Sequence, residues 1–181
     1  FLVNSEIRKK IKKIKKQAKY IDKKKQFEII NNLDFSLTND QTKTLEEINN
    51  DLVSSIKMFR LLQGDVGSGK TIVSLLAAFN TVNSGFQVAF MAPTEILARQ
   101  HFNLAKKIYP QNLNINLISG KTDPKNKKII HNKLSENKIN IIFGTHAIFQ
   151  KKISFYKLGL IIIDEQHKFG VNQRKKLSDK G

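Results

Sequence analysis

The stretch that decides the fold reads G-D-V-G-S-G-K-T and occupies residues 64–71. It fits the pattern G-x-x-x-x-G-K-[ST], in which glycines let successive backbone N–H groups point inward at phosphate oxygens. In this pattern Lys70 is expected to reach the β- and γ-phosphates of a nucleotide, and the Thr71 hydroxyl to bind Mg²⁺. A simple glycine turn between a strand and a helix is the alternative, and the full match to the pattern makes it the weaker one.

Short apolar runs alternate with helical patterns on both sides of this loop. The predicted helices span residues 40–53, 71–83, 95–108 and 125–136, and the predicted strands span residues 59–63, 87–91, 115–119, 139–143 and 160–163. Strands that alternate with helices form parallel sheets through right-handed crossovers. Unbroken apolar strands are typical of sheets that are buried on both faces. We therefore predict an α/β fold, a parallel sheet with helices on both faces.

A second candidate site follows the apolar run L-I-I-I at residues 160–163, where Asp164 and Glu165 come next. Ligands of parallel sheets bind at the carboxyl ends of the strands, so Asp164 is expected near the phosphate loop, holding Mg²⁺ through the metal's water shell. Glu165 would orient or deprotonate the water that attacks the γ-phosphate. A strand that merely reaches water is the alternative. Coupled to the phosphate loop, the two carboxylates favour a site for ATP and Mg²⁺.

Composition limits the class of protein. With 181 residues and 40% hydrophobic side chains, the chain is long enough for one ordinary domain and an appendage. No apolar run approaches the roughly 20 residues of a membrane span, so a soluble protein is expected. The lack of cysteine fits a reducing compartment, and a cytoplasmic protein associated with the bacterial nucleoid is expected. The absence of cysteine excludes disulfides and thiolate zinc sites, and the four histidines show no metal-ligand spacing.

The net charge of +17 suggests a polyanionic partner such as nucleic acid. The Lys-, Asn- and Ile-rich usage of an AT-rich genome would explain the same charge, and charge alone leaves both open. Residues 5–30 hold 11 Lys and Arg against 3 Asp and Glu, a net charge of +8. Their apolar positions predict a basic helix with one stripe, made of Ile7, Ile11, Ile14, Ala18 and Ile21. We favour a connector helix over a helix that binds nucleic acid or a membrane surface.

Together the motifs resemble those of superfamily 2 helicases, and most narrowly the RecG type of ATP-dependent DNA helicase. The resemblance covers residues 35–181 and rests on F-S-L-T-N-D-Q (35–41), R-L-L-Q-G-D-V-G-S-G-K-T (60–71), M-A-P-T-E-I-L-A-R-Q-H (91–101), G-T-H-A-I-F-Q (144–150) and I-I-D-E-Q-H-K-F-G-V-N-Q-R (162–174). It implies a RecA-like P-loop NTPase domain that uses ATP to move on branched DNA, in fork regression and Holliday junction migration. Gln166 favours this type over transcription-repair coupling translocases, whose motif usually reads D-E-E-H.

The resemblance also implies roles for single residues at the nucleotide site. The loop residues expected to cradle the phosphates are Gly64, Asp65, Val66, Gly67, Ser68, Gly69, Lys70 and Thr71. Gln41 is expected to offer its amide to the adenine edge, although a surface glutamine at a helix start is the alternative. His167 is expected to sense the γ-phosphate and to relay its loss toward a second motor domain.

Two further segments are implied to contact the DNA backbone: Pro93, Thr94 and Glu95, and Gly144, Thr145 and His146. The first segment opens a helix after a strand, so its backbone N–H groups could hold a phosphate, although capping alone would explain Thr94. The second segment follows another strand at the same sheet edge. A loop histidine with satisfied hydrogen bonds is the alternative for His146. Backbone contacts of this kind are independent of base sequence.

The expected domain organisation places a basic connector helix and linker at residues 1–33 and the first motor domain, truncated at its C-terminal end, at residues 34–181. Because the chain begins with Phe1, we expect a longer parent chain. The resemblance implies that this parent adds a wedge domain and a second RecA-like domain with arginine fingers. The piece alone would then turn over ATP slowly or not at all. Two other classes stay open: a P-loop module that does not move on DNA, and a basic nucleic-acid-binding domain with a vestigial loop.

Overall fold

The computed structural model describes residues 15–65, 67–149 and 153–165. The chain divides into two compact units, Phe1–Ser84 and Gly85–Gly181. Within the described residues, the first unit contains three helices and the second a four-stranded parallel sheet with helices. The boundary expected between residues 33 and 34 concerns the domains of a longer chain and stays a prediction.

The first unit is built from the helices α1 (Lys23–Asn31), α2 (Asn39–Val53) and α3 (Lys70–Asn83). α1 begins after Asp22, whose carboxylate accepts hydrogen bonds from two backbone N–H groups of its first turn. α2 begins with a capping box formed by Thr38 and Gln41. α3 packs against both of the other helices. The helices predicted at residues 40–53 and 71–83 are therefore confirmed.

A polar cluster of three amides joins these helices. It consists of Gln26 of α1, Asn49 of α2 and Asn80 of α3. Asn80 Nδ2 donates hydrogen bonds to Gln26 Oε1 at 2.7 Å and to Asn49 Oδ1 at 2.8 Å, and Asn49 Nδ2 donates to Gln26 Oε1 at 2.8 Å. Because buried amides are costly to leave unpaired, this cluster fixes α3, the helix that follows the phosphate loop, against α1 and α2.

The predicted N-terminal helix differs from the structure. Residues 16–22, all of which are described, form no helix, and residues 1–14 lie outside the described residues. Lys16 Nζ instead donates hydrogen bonds to the carbonyl oxygens of Asp51 and Leu52, at 2.8 and 3.0 Å. A lysine at the end of a helix satisfies its last carbonyl groups, so the segment is held in an extended form along the end of α2. The helical prediction is wrong for residues 16–22, and the basic helix α1 begins only after them.

The predicted strand at residues 59–63 is also wrong. These residues, all within the described part of the chain, are neither helix nor strand, and Leu61 is 62% exposed. Arg60 interrupts the apolar run, and its guanidinium forms ion pairs with Glu47 and Asp51 of α2, each at 2.7 Å. The segment before the phosphate loop is thus attached to α2 through a side chain and not through a strand ladder.

The second unit contains the strands β1 (Gln87–Met91), β2 (Ile115–Ile118), β3 (Ile141–Gly144) and β4 (Leu158–Ile163), the helices α4 (Glu95–Ile108) and α5 (Pro124–Ser135), and a 3-10 turn (His146–Phe149). The strands are all parallel, in the order β2-β3-β1-β4. Every residue of β1 and β3 is buried. Because successive side chains point to opposite faces, both faces of the central strands are covered. The α/β prediction is confirmed. The predicted ends of the helices and strands in this unit agree with the observed ends within two residues.

The register of the strands places their carboxyl ends at one level. Met91 of β1 pairs with Gly144 of β3 on one side and with Ile163 of β4 on the other. The ladder continues one residue further, because the Asp164 N–H donates to the Met91 carbonyl at 2.8 Å. The residues that follow these three strands therefore share one edge of the sheet.

No helix in the described part of the chain is long and apolar enough to cross a membrane.

Candidate nucleotide and nucleic-acid sites

The phosphate loop of the first unit has the backbone that an anion site requires. Gly67 and Gly69 have φ values of +83° and +79°, in the left-handed region that favours glycine. Gly69 is the N-cap of α3, and among the described residues no side chain caps this helix start. The first N–H groups of a helix carry partial positive charge, so an uncapped N-terminus after such a turn suits a phosphate oxygen.

Lys70 is oriented into this loop. Its Nζ donates hydrogen bonds to the carbonyl oxygens of Gly64 and Asp65, at 2.7 and 2.6 Å. The same ammonium group lies 3.5 Å from the Ser68 hydroxyl. The lysine charge is therefore held within the loop by main-chain oxygens, which a phosphate anion could replace with a stronger, charge-assisted bond.

Gln41 contacts the phosphate loop, which the sequence did not predict. Its Nε2 donates a hydrogen bond to the Ser68 carbonyl at 2.9 Å, and its Oε1 accepts one from the Thr38 N–H at 2.9 Å. A Cβ atom added to Gly69 would collide with Gln41 Nε2. Glycine at position 69 is thus favoured by its positive φ, and its lack of a Cβ atom leaves room for this amide. The predicted contact of Gln41 with adenine stays a prediction.

A cavity of about 500 Å³ lies beside the start of α2 in the same unit. Its lining includes Phe35, Leu37 and Thr42, the last of which follows Gln41 in the chain.

In the second unit, the structure brings three predicted segments to one edge of the sheet. Pro93 to Glu95 follow β1, Thr145 and His146 follow β3, and Asp164 and Glu165 follow β4. This arrangement follows from the parallel register, because all three strands end at the same level. The edge therefore combines a carboxylate pair with two segments that were predicted to contact DNA.

Asp164 is held by hydrogen bonds to both of its carboxylate oxygens. Oδ1 accepts a hydrogen bond from the Glu165 N–H at 2.9 Å. Oδ2 lies 2.7 Å from Nε2 of His101, a residue of α4. The Asp164 side chain is 29% exposed, so it is held from within the protein and still reaches solvent. Glu165 has a φ of +46°, which is uncommon for a residue other than glycine and marks a sharp turn directly after the strand.

His101 is a site residue that the sequence reasoning missed. Its side chain is 8% exposed, and its ring lies 5.0 Å from the Phe90 ring, between centroids. The sequence spacing of the buried residues of α4 could have identified His101. These buried residues are Ala98, His101 and Ala105. Spacings of three and four place a titratable side chain on the apolar face of this helix, where it needs a polar partner.

The start of α4 is capped by its own side chain. Thr94 Oγ1 accepts a hydrogen bond from the Leu97 N–H at 3.2 Å, as the capping alternative anticipated. Glu95 forms an ion pair with Arg99 at 3.3 Å. The DNA contacts predicted for Pro93, Thr94 and Glu95 stay predictions.

The segment after β3 is mostly buried. Gly144 and Thr145 are buried, whereas His146 is exposed. A Cβ atom on Gly144 would collide with the Ile118 carbonyl of β2, so this glycine permits close strand packing. Of these residues, His146 therefore presents its side chain to solvent. The DNA contacts of all three stay predictions.

Some predicted residues fall outside the described part of the chain, namely Val66, Gln166 and His167. The phosphate loop lies in the first unit and the carboxylate edge in the second. Their combination into one nucleotide site stays a prediction.

Comparison with known proteins gives consistent matches. The DEAD/DEAH box helicase family matches residues 38–180. The chain is 46% identical to the ATP-dependent DNA helicase RecG of Aquifex aeolicus over 172 residues, covering 94% of this chain and 22% of that protein. It is 45% identical to RecG of Thermotoga maritima over 181 residues, covering 99% of this chain and 23% of that protein. The chain thus spans less than a quarter of the length of these curated relatives.

Comparison with solved structures gives the same kind of match. A structure of RecG bound to a three-way DNA junction superposes with a TM-score of 0.86 at 44% identity, over 93% of this chain and 23% of that one. The UvsW helicase of bacteriophage T4 superposes with a TM-score of 0.63 at 17% identity, over 90% of this chain and 57% of that one, which shows a shared fold. The resemblance to RecG-type helicases inferred from the motifs is confirmed.

Proposed function

Because the chain belongs to the DEAD/DEAH box helicase family, we propose that it is the first RecA-like motor domain of an ATP-dependent DNA helicase that acts on branched DNA. The observation that carries the proposal is the phosphate loop, in which Lys70 enters a glycine turn before an uncapped helix start. The similarity to RecG proteins and to a RecG structure bound to a three-way DNA junction supports branched DNA as the substrate. Fork regression and junction migration are the reactions that such a substrate implies.

The phosphate loop would bind the β- and γ-phosphates of ATP. Backbone N–H groups around Gly67 and Gly69 and at the start of α3 would donate hydrogen bonds to the phosphate oxygens, and Lys70 would exchange its carbonyl partners for them. Gln41 would lie near the adenine, next to the cavity that includes Phe35 and Thr42. Gln41 also donates to the Ser68 carbonyl, so its amide links the start of α2 to the loop.

The residues fit a magnesium ion by the chemistry of their donor atoms. Mg²⁺ prefers oxygen ligands and is usually bound through one or two protein groups, with waters and substrate phosphates completing the shell. The Thr71 hydroxyl and the Asp164 carboxylate are the groups that would hold it. When bound, the ion would neutralise charge on the transferring phosphoryl group. Glu165 would orient or deprotonate the attacking water, and His167 would respond to the γ-phosphate.

The sheet edge that carries Asp164 would also contact DNA. The start of α4 at Thr94 and the exposed His146 lie at this edge, so DNA bound there would be close to a carboxylate of the nucleotide site. Contacts to backbone phosphates would be independent of base sequence and sensitive to salt. A wedge domain and a second RecA-like domain are proposed as partners within the parent chain. Such a protein would act on chromosomal DNA in a bacterial cytoplasm.

The proposal is tested by ATP hydrolysis of the full-length protein with and without three-way junction DNA. Lys70→Ala is expected to abolish DNA-stimulated hydrolysis, because the charge that holds the phosphates is lost. Glu165→Gln should keep nucleotide binding and lower turnover by roughly 10²- to 10⁴-fold, the range for a lost general base. Lys43→Ala and Glu28→Gln, at exposed positions of α2 and α1, serve as matched controls.

Normal activity in Lys70→Ala would refute the proposed ATP site. Hydrolysis that is unaffected by junction DNA would favour a nucleotide-binding module that does not move on DNA. The isolated 181-residue chain is expected to hydrolyse ATP slowly or not at all, because arginine fingers of a second domain normally stabilise the transferring phosphoryl group.

A further inference from the structure

The contact between His101 and Asp164 is a feature that the proposed function does not use. Nε2 of His101 lies 2.7 Å from Oδ2 of Asp164, across 63 residues of sequence. The imidazole is 8% exposed and rests on Phe90 of β1. A buried polar ring that touches a partly exposed carboxylate at a sheet edge suggests a role in orienting that carboxylate.

The chemistry of the pair defines the direction of the hydrogen bond. An ionised carboxylate has only acceptors, so Nε2 of His101 must carry the hydrogen that it shares with Asp164. The other oxygen accepts from the Glu165 N–H. Hydrogen bonds to both oxygens restrict the rotation of the carboxylate about its side-chain bonds.

The helix α4 and a ring contact hold His101 itself in place. Its backbone belongs to α4, between the buried residues Ala98 and Ala105, and its ring packs on Phe90. α4 begins after Thr94, seven residues earlier, which corresponds to about 10 Å of helix. The carboxylate is therefore held by the helix whose first turn lies at the proposed DNA edge.

We infer that His101 is a positioning residue, which donates a hydrogen bond to Asp164 and so holds this carboxylate in the orientation in which it would bind the metal. The inference rests on the proposed function and adds to it the residue that orients the metal-binding group. It also assigns a role to α4, because a shift of this helix would move the donor away from Oδ2. Partners of metal-binding groups commonly change metal affinity by 10- to 100-fold when they are removed.

The test measures Mn²⁺ binding to the full-length protein by electron paramagnetic resonance, with a non-hydrolysable ATP analogue present. His101→Phe keeps the ring on Phe90 and removes the donor, so Mn²⁺ affinity is expected to fall by about 10-fold. Binding of the analogue in EDTA should stay unchanged. His101→Gln places an amide N–H at a similar distance and should restore the affinity to within about 3-fold. Gln100→Ala, at an exposed neighbouring position, is the control.

Wild-type Mn²⁺ affinity in His101→Phe would overturn the inference. So would equal losses in His101→Phe and His101→Gln, because packing and not the hydrogen bond would then be responsible. Thermal unfolding checks that each variant folds, and His101→Leu replaces the Phe variant if that one does not. Failure of the proposed function is distinguishable: the wild-type protein would then bind no Mn²⁺ with the analogue, or Lys70→Ala would bind the analogue normally.

Discussion

The contact between Gly69 and Gln41 allows a quantitative test of the phosphate loop. Gly69→Ala places a methyl group where Gln41 Nε2 now lies, at a residue with a φ of +79°. The amide is the far end of a flexible side chain, so it can move aside. It then loses its hydrogen bonds to the Ser68 carbonyl and the Thr38 N–H. Gly69→Ala should therefore have two effects. It strains the backbone at position 69, and it removes two hydrogen bonds of Gln41.

The magnitudes follow from these two effects. A left-handed conformation costs alanine about 1–2 kcal/mol relative to glycine. The two hydrogen bonds of Gln41 are solvent-accessible, so their loss costs about 1 kcal/mol together. Gly69→Ala should then lower the free energy of unfolding by about 2–3 kcal/mol and Gln41→Ala by about 1 kcal/mol. The double variant should lose only about 2–3 kcal/mol, because the bonds of Gln41 are already broken by the first substitution.

The measurement is a double-mutant cycle from urea unfolding of the 181-residue chain, followed by circular dichroism. The expected coupling of about 1 kcal/mol is larger than the 0.3–0.5 kcal/mol by which independent sites deviate from additivity. Thr42→Ala, an exposed neighbour on α2, replaces Gln41→Ala in the control cycle and should be additive with Gly69→Ala. Additive losses in the main cycle would show that Gln41 does not contact the loop, and the reasoning would be refuted.

Two further predictions concern buried polar groups. Burial, and after it the charge of Lys16, lowers the pKa of Lys19 from 10.5 to about 8. The native state therefore loses this proton first, so the free energy of unfolding should rise between pH 8 and 10.5, by about 1–2 kcal/mol after screening. Lys19→Met should abolish this rise in urea titrations at pH 7.5 and 9.5; an unchanged rise would contradict the burial of the charge. Gln87, fully buried, donates to the carbonyl oxygens of Leu134 and Ile139 and accepts from the Lys157 N–H. Gln87→Leu should lower the free energy of unfolding by about 2–4 kcal/mol in the same assay. The control Gln100→Leu, at an exposed position, should lower it by less than about 0.5 kcal/mol. A loss below about 1 kcal/mol for Gln87→Leu would contradict the prediction.

Most of the fold could be predicted because its signals are local. Caps such as Thr38 and Thr94 stand directly before the helices they begin, and the apolar runs at residues 88–91 of β1, in β3 and at residues 160–163 of β4 are continuous in the sequence. The two incorrect predictions, the helix at residues 16–22 and the strand at residues 59–63, failed because these segments are held by partners that are distant in sequence. Lys16 is held by the end of α2, 35 and 36 residues away, and Arg60 is held by two carboxylates on the same helix. Neither pairing can be read from the hydrophobic pattern of its own segment.

The candidate site was predictable to the extent that it follows from motif and strand order. The glycine loop and the carboxylates after β4 were found because each is contiguous in sequence. The contacts that orient them were missed, since Gln41 reaches Ser68 across 27 residues and His101 reaches Asp164 across 63. Both contacts are made by side chains on helices whose backbones were predicted correctly. What the sequence did not provide was the packing that decides which residues of neighbouring elements meet.

The two carboxylates after β4 differ in how their backbones leave the sheet, and this difference supports the different roles proposed for them. The Asp164 backbone extends the sheet ladder through Met91, and both of its carboxylate oxygens accept hydrogen bonds. A group that orients a metal's water shell needs such a fixed geometry. Glu165 instead stands at the turn, with a φ of +46°, where the chain leaves the sheet. A group that activates a water must approach a substrate atom and not a fixed metal, so the residue at the turn is the better candidate for that role.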